Sequence, residues 1–301
     1  MTMRMHANEI DTSPELVARL LVAQFPEFAH LPIERVPSAG TDNALYRIGS
    51  DWVARLPRID WALGQGEKER QWLPRLAPHL PLTLPAQVAQ GRPGEGYPYA
   101  WTIYRWLPGE SATYERLADP NQAARDLAAF ILSLQRIDPT DGPDARVLRL
   151  RGSPLVTRDA GTREAIAQLG DSIDLTAALR VWEVALGATE WRRAPVWFHG
   201  DLLPGNLLVD HGHLSAVIDW SGLGVGDPAC DLMSAWALFR GESRAVFRAA
   251  LGLDDATWAR ARGHALSQAA IFIPYYVHTN PVGVANAWRQ LNAVLEEAPS
   301  L

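Results

Sequence analysis

Hydrophobic and polar positions along the chain form two regions with different periods. Near the N-terminus, Ser13-Pro14 precedes apolar residues at helical spacing, which predicts a helix that starts there. Between residues 33 and 56, the short runs IERV, ALYRI and DWVARL are separated by turn-forming segments, which predicts three adjacent antiparallel strands. A further helix is predicted over residues 64–77, followed by strands around 86–90 and 99–106.

Beyond Leu107 the pattern becomes mainly helical. Leu127, Phe130, Ile131 and Leu134 follow the i, i+3, i+4, i+7 spacing of one buried helix face. Helices are also predicted around 161–188 and over most of 228–296, whereas 196–220 contains two short apolar runs typical of strands. These patterns predict an α+β fold in which a small antiparallel β-sheet lobe, residues 1–106, precedes a larger helical lobe, residues 107–301.

Composition and charge narrow the classes of partner. The 301 residues carry a net charge of -6 and a pI near 5.8, so no basic face for nucleic acid is expected. No apolar run of about 18 residues is present, which argues against a membrane span. Cys230 is the single cysteine, and the N-terminus lacks the apolar core of a signal peptide, so a cytoplasmic location is expected. The sequence leaves the oligomeric state open.

Candidate chemistry is concentrated in the segment FHGDLLPGNLLVDHGHLSAVIDW. Asp201 and Asn206 are five positions apart in a loop, and Asp219 follows the second of two short strands. A hairpin therefore brings Asn206 and Asp219 together beside the loop that carries Asp201. Carboxylate and amide oxygens suit Mg²⁺ against nucleotide phosphates, and a further carboxylate can orient a hydroxyl and accept its proton. We expect Asn206 and Asp219 to bind Mg²⁺ and Asp201 to be the catalytic residue.

These residues resemble the aminoglycoside phosphotransferases and related small-molecule kinases, which are relatives of protein kinases. The resemblance rests on His199, Asp201 and Asn206 in the loop, on Asp219, and on the later Gly-Asp-Pro and Asp-Leu pattern formed by Gly226, Asp227, Pro228, Asp231 and Leu232. It implies a protein-kinase-like two-lobe fold and transfer of phosphate from ATP to a small-molecule hydroxyl. It also implies that His199 organises the loop through hydrogen bonds, while Asp227 and Asp231 are structural.

The resemblance places nucleotide binding in the N-terminal lobe. The turn that contains Ser38, Gly40 and Thr41 would cover the phosphates, although a plain hairpin turn is the alternative. Arg55 stands where a lysine is usual in these kinases, and a guanidinium can bind phosphate oxygens in a bidentate manner. Its expected partner is Glu69 on the following helix, with Glu67 a close competitor.

The run from Ile103 to Gly109 resembles the hinge of these kinases. Backbone groups of Arg105, Trp106 and Leu107 are expected to bond the nucleotide base. Backbone contacts leave no side-chain signature, so ATP is expected and GTP is not excluded.

Of the components of the reaction, the acceptor is the one that the sequence defines least. An antibiotic of aminoglycoside or macrolide type is expected, and a sugar or amino alcohol is the alternative. Tyr275 and Tyr276 can line an acceptor pocket, but core packing around a helix broken by proline is the favoured interpretation of that segment. Two other functions stay open: a non-catalytic nucleotide-binding protein, and a metal-dependent hydrolase that uses His199, Asp201, His211 and His213.

Overall fold

The computed structural model describes residues 6, 8–37 and 40–297. The chain divides into two compact units. The first comprises Met1–Pro78 and Thr83–Pro108, and the second comprises His79–Leu82 and Gly109–Leu301. The assignment of nucleotide binding to residues 1–106 and of catalysis to residues 107–301 stays a prediction.

The first unit is built on a five-stranded antiparallel sheet with the order β1-β2-β3-β5-β4. Along β2, Ala44, Tyr46 and Ile48 are buried and alternate with part-buried residues, because successive side chains of a strand point to opposite faces. The strands are β1 Ile33–Arg35, β2 Asn43–Ile48, β3 Trp52–Pro57, β4 Gln87–Gly91 and β5 Trp101–Arg105.

The α-helices described in the first unit are α1 Pro14–Gln24 and α2 Gln65–Leu76. Ser13 caps α1 by accepting a hydrogen bond from the Leu16 amide at 3.3 Å, as its position before Pro14 predicts. One face of α1 joins the core of the sheet, and burial of each large side chain there contributes roughly 1.5–3 kcal/mol. Helix α2 carries Glu69, the predicted partner of Arg55.

The second unit is mainly helical. Leu127, Phe130, Ile131 and Leu134 are all fully buried on α3, which confirms the predicted stripe. The helices are α3 Pro120–Arg136, α4 Ala145–Leu148, α5 Asp159–Leu169, α6 Leu175–Gly187, α7 Ser234–Ala237, α8 Gly241–Leu251, α9 Asp255–Tyr276 and α10 Pro281–Glu296.

Two small antiparallel sheets complete the second unit, one with the strand order β6-β8-β9 and one that pairs β10 with β7. The strands are β6 Glu110–Ser111, β7 Val196–Phe198, β8 Leu207–Asp210, β9 His213–Val217 and β10 Gly224–Gly226. Within the described part of the chain, no helix has the length and apolar character needed to cross a bilayer.

The structure corrects the interpretation of the tyrosine-containing segment. Helix α9 continues past Pro274 to Tyr276, although the proline has no N–H to donate to the preceding turn. The chain breaks only before α10, where Asn280 accepts from the Gly283 amide at 2.9 Å. Core packing is wrong for Tyr275, which is 60% exposed and stacks edge-on against Tyr276.

Candidate active site

A tight hairpin positions the predicted metal ligands. Strands β8 and β9 pair antiparallel, and their turn at His211 and Gly212 has two consecutive positive φ angles, as a two-residue hairpin of this kind requires. At the opposite end, the Ile218 amide donates to the Asn206 carbonyl at 2.9 Å. The backbone of Asn206 is therefore bonded to the residue that precedes Asp219.

Asp201 and Asn206 form one hydrogen-bonded unit. The Asn206 Nδ2 donates to the Asp201 carbonyl at 2.9 Å and to Asp201 Oδ2 at 3.0 Å. Within the loop, Leu203 N donates to the Asp201 carbonyl at 2.7 Å. Because the amide nitrogen of Asn206 faces Asp201, its Oδ1 is directed away from that carboxylate, which is the orientation a magnesium ligand needs.

Asp219 occupies a strained backbone conformation. Its φ and ψ are 58° and 72°, in the left-handed region that residues other than glycine rarely adopt. Such a conformation costs roughly 1–3 kcal/mol and is maintained where the surroundings fix it. The strain turns the chain sharply directly after β9 and places the Asp219 carboxylate at the start of the next loop.

His199 organises the loop, as predicted. Its Nδ1 accepts from the Asp201 amide at 3.1 Å, and its Nε2 lies 3.0 Å from the Ile218 carbonyl. Since Nδ1 is an acceptor, the ring proton is on Nε2 and the imidazole is neutral. The ring is fully buried and meets Trp220 edge-on, so His199 ties the Asp201 loop to the Asp219 segment.

Asp231 stabilises the same loop through two hydrogen bonds. Its carboxylate accepts from the His199 amide at 2.7 Å and from the Gly200 amide at 2.6 Å, a structural role as the resemblance implies. Burial raises the pKa of Asp231 to about 7, against the lowering effect of the two amide bonds. Gly200 has φ +87° and a Cβ there would lie 2.6 Å from the Gly222 carbonyl oxygen, so the position requires glycine.

Asp227 is structural, as the sequence indicates. Its side chain caps the following turn by accepting from the Ala229 amide at 3.0 Å. It also forms a buried ion pair with Arg260, at 2.7 Å between Nε and Oδ2. This pair fixes α9 against the turn that carries Asp231.

One arginine that contacts Asp201 was not identified from the sequence. Arg151, in the loop after α4, donates from Nη1 to the Gly200 carbonyl at 3.1 Å and to Asp201 Oδ1. The only available signal was indirect: the stretch from His199 to Asp219 contains no lysine or arginine, so any cation beside Asp201 must come from a distant segment.

In the first unit, the predicted ion pair forms between Arg55 and Glu69. Arg55 Nη1 lies 2.6 Å from Glu69 Oε1, and both side chains are largely buried. Glu69 also accepts from the Tyr104 hydroxyl at 2.5 Å. Glu67, the competing partner, instead pairs with Arg70 on the exposed side of α2.

Arg55 lines a cavity of about 320 Å³. Asn43, Gln65 and Thr102 are among its other lining residues. Gln65 Oε1 accepts from Arg55 Nη2 at 2.8 Å, so the guanidinium is held by two side chains of α2.

The predicted phosphate turn is only partly described, since Ser38 lies outside the described residues. The Gly40 carbonyl accepts from Arg58 at 2.9 Å, and the Thr41 hydroxyl donates to Asp42 at 2.9 Å. The bond from Arg58 ties Gly40 to the segment that follows β3, whereas the Thr41 bond lies within the turn.

Two of the backbone amides in the predicted hinge are engaged within the first unit, and its role in binding the base stays a prediction. The Arg105 amide donates to the Ala86 carbonyl at 2.9 Å, and the Trp106 amide donates to the Asp51 carbonyl at 2.7 Å. Both N–H groups therefore already donate to backbone carbonyls beside strands of the sheet. Of the amides of the three residues whose backbone groups are predicted to bond the base, only that of Leu107 has no hydrogen-bond partner among the described residues.

A sequence model of the phosphotransferase enzyme family matches residues 34–264, which include every described residue of the predicted site. The chain belongs to this family. The resemblance inferred from His199, Asp201, Asn206 and Asp219 is confirmed. The reaction class of this family is phosphotransfer. No curated protein sequence matches the chain.

Solved structures confirm the fold class of this family member. The GDP and kanamycin complex of APH(2″)-IIIa has a TM-score of 0.73 at 18% identity, covering 92% of this chain and 97% of the other. The streptomycin–ATP complex of APH(2″)-IIa has a TM-score of 0.60 at 18% identity, covering 95% and 99%. Apo macrolide 2′-phosphotransferase MphH from Brachybacterium faecium has a TM-score of 0.58 at 25% identity, covering 95% and 99%.

The arrangement does not support the metal-hydrolase alternative. Both ring nitrogens of His199 are engaged in hydrogen bonds within the loop. His211 lies in the hairpin turn with its side chain 94% exposed. Over the part of the chain that the structure describes, no three His, Cys, Asp or Glu side chains form a group able to hold a metal ion.

Proposed function

We propose that this chain transfers the γ-phosphate of ATP to a hydroxyl group of a small molecule, with Mg²⁺ as cofactor. The observation that carries the proposal is the hydrogen-bonded unit of Asp201 and Asn206. A bond of 3.0 Å joins the residue proposed as the base to a residue proposed as a metal ligand, so their spacing is fixed before substrates bind.

In this proposal Asp201 orients the acceptor hydroxyl and takes its proton. The acceptor oxygen forms a bond to the γ-phosphorus, the bond from phosphorus to the β,γ-bridging oxygen breaks, and ADP leaves with that electron pair. Asp201 is part-buried, with 29% of its side chain exposed, so a hydroxyl can reach it. His199 takes no part in proton transfer, since both of its ring nitrogens are occupied.

Asn206 Oδ1 and the Asp219 carboxylate would hold Mg²⁺, which supplies charge neutralisation for the phosphate oxygens when bound. The donor set fits a hard cation, because it consists of one amide oxygen and one carboxylate. The bond between Ile218 and Asn206 supports the proposal by holding the two ligand-bearing segments together.

The first unit supplies the nucleotide-binding residues in this proposal. Arg55, held by Glu69, would bind phosphate oxygens, with Ser38, Gly40 and Thr41 contributing from the turn. The Leu107 amide and the Arg105 and Trp106 carbonyls would bond the base. ATP is the proposed donor; related structures contain GDP or ATP, so GTP belongs in the same assay.

An antibiotic acceptor of aminoglycoside or macrolide type is supported by the ligands and names of the structural relatives. One observation favours a metabolite instead. The side chain that contacts Asp201 from outside the loop is the cation Arg151, whereas a polycationic aminoglycoside calls for carboxylates there.

A phosphate-transfer assay tests the reaction class. ATP or GTP is incubated with Mg²⁺ and a panel of antibiotic and metabolite hydroxyl compounds, and phosphorylated product is detected by mass spectrometry. Asp201→Asn should lower turnover by about 10²–10⁴-fold, the usual contribution of a general base. Asp210→Asn, at the far end of β8, is the matched control and should retain activity. Equal turnover in wild type and Asp201→Asn would favour the non-catalytic alternative.

A further inference from the structure

Arg58 contacts the predicted phosphate turn through both its backbone and its side chain. It follows β3 directly, and its amide donates to the Asp42 carbonyl at 2.8 Å. Its Nη2 donates to the Gly40 carbonyl at 2.9 Å, two residues further into the turn. Arg58 therefore holds the turn at a residue that lies outside the flanking strands β1 and β2.

The N-terminal segment holds Arg58 in turn. Only 5% of Arg58 is exposed, and its Nη1 lies 3.5 Å from Oε2 of the buried Glu9 carboxylate. The Ile10 amide donates to the Arg58 carbonyl at 2.8 Å. Burial lowers the pKa of the Arg58 guanidinium, and the Glu9 carboxylate opposes that effect by favouring the charged form. Glu9 and Ile10 therefore fix the side chain and the backbone of Arg58 together.

The bond from Arg58 determines where one amide of the turn points. The carbonyl of Gly40 and the N–H of Thr41 belong to the same peptide unit, which is planar and trans, so the two groups point in opposite directions. Because the Gly40 carbonyl is directed at Arg58, the Thr41 N–H is directed away from it. Among the described residues this N–H has no hydrogen-bond partner. It is therefore an oriented donor that a ligand can use.

A backbone N–H binds phosphate oxygens well only when its direction is fixed before the ligand arrives. We propose that Arg58, held by Glu9, is a positioning residue for the nucleotide that orients the Thr41 amide toward the phosphates. This inference rests on the proposed function, which assigns the turn to phosphate binding. Arg58 itself does not touch the nucleotide in this proposal, since its side chain is buried. The segment before α1 would thus contribute to nucleotide affinity through Arg58.

A double variant tests the proposal without leaving a buried charge alone. Arg58→Met combined with Glu9→Gln removes both charges and the bond to Gly40. Binding of a non-hydrolysable ATP analogue and of adenosine is measured by ligand-observed NMR in the presence of Mg²⁺. Affinity for the analogue should fall about fivefold or more, because the turn loses a charged donor that fixes its binding conformation. Adenosine has no phosphates, so its affinity should stay within about twofold of wild type.

The matched control is an exposed ion pair of the same unit. Arg19 Nε lies 3.7 Å from Glu95 Oε2, and both side chains are at least 40% exposed. Arg19→Met combined with Glu95→Gln makes the same two changes there, and the analogue should bind within about twofold of wild type. Arg58→Lys is the second variant in case the double variant does not fold. A single ammonium cannot replace the two separate contacts of the guanidinium, so the analogue should bind about threefold or more weakly.

Two results would overturn the positioning role. One is wild-type affinity for the ATP analogue in a folded Arg58 variant. The other is an equal loss of analogue and adenosine binding, which would mean that Arg58 acts on the whole unit instead of on the phosphate turn. A failure of the proposed function is distinguishable, because it would appear as unchanged turnover in Asp201→Asn while the analogue still binds more weakly to the Arg58 variants.

Discussion

The buried pair of Arg55 and Glu69 offers a sharp test, because α2 carries two glutamates in different surroundings. Glu69 is 1% exposed and accepts from both Arg55 and Tyr104. Glu67 is 51% exposed and pairs with Arg70 on the surface. Replacing each by alanine removes the same chemical group from the same helix, so the difference between the variants measures the effect of burial.

The magnitude follows from the contacts. Glu69→Ala removes two hydrogen bonds to a buried carboxylate and takes away the negative charge that pairs with Arg55. Breaking a buried ion pair from one side costs about 3–5 kcal/mol of unfolding free energy. Glu67→Ala should change stability little, because solvent screens an exposed pair. Urea unfolding followed by circular dichroism, without nucleotide, measures both values.

A double variant separates stability from function. Replacing Arg55 by Met together with Glu69 by Leu removes both charges, and should recover stability to within about 2 kcal/mol of wild type, the remainder reflecting the lost partner of Tyr104. Nucleotide use should stay lost, since the proposed phosphate cation is gone. Equal destabilisation by Glu67→Ala and Glu69→Ala would refute the burial argument. Normal ATP use by the double variant would refute the role of Arg55.

Three other changes have defined outcomes. Arg55→Ala should raise the KM for ATP in a coupled ADP-release assay, and Arg55→Lys should partly preserve it; an unchanged KM in the alanine variant would place the phosphate cation elsewhere. Gly200→Ala should destabilise the fold and lower turnover, because its Cβ would meet the Gly222 carbonyl at 2.6 Å; thermal unfolding and turnover measure this. Asp231 has its pKa raised to about 7 from 3.8, so the native state holds a proton there that the unfolded state has lost. Stability should therefore fall as pH rises from about 4 to about 7, and Asp231→Asn should reduce that slope in urea titrations.

The proposed site is predictable from sequence where it is local. Asp201, Asn206 and Asp219 lie in one segment, and a hairpin with a two-residue turn leaves little freedom in how its ends meet. The alternating pattern of β2 and the stripe of α3 predict their elements because each period matches one buried face.

Contacts between distant segments were not predictable in this way. Arg151 reaches Asp201 from fifty positions upstream, and Arg158 reaches Ser267 across more than a hundred. Neither arginine belongs to a motif, and both lie near turns where hydrophobic periodicity carries no information. The use of the Arg105 amide depends on the register of β4, which contains an irregularity between Gln87 and Ala89.

The two oxygens of the Asp201 carboxylate contact different segments of the chain. Oδ2 is bonded to Asn206, which comes from the same loop, and Oδ1 is bonded to Arg151, which comes from a separate segment. Changes on the Asn206 side should lower turnover for every acceptor, because they disturb the metal and the base together. The effect on turnover of changes on the Arg151 side should depend on the charge of the acceptor. Reaction type and acceptor choice would thus reside in different segments, and substitution of Arg151 would change acceptor preference without altering the loop that performs the transfer.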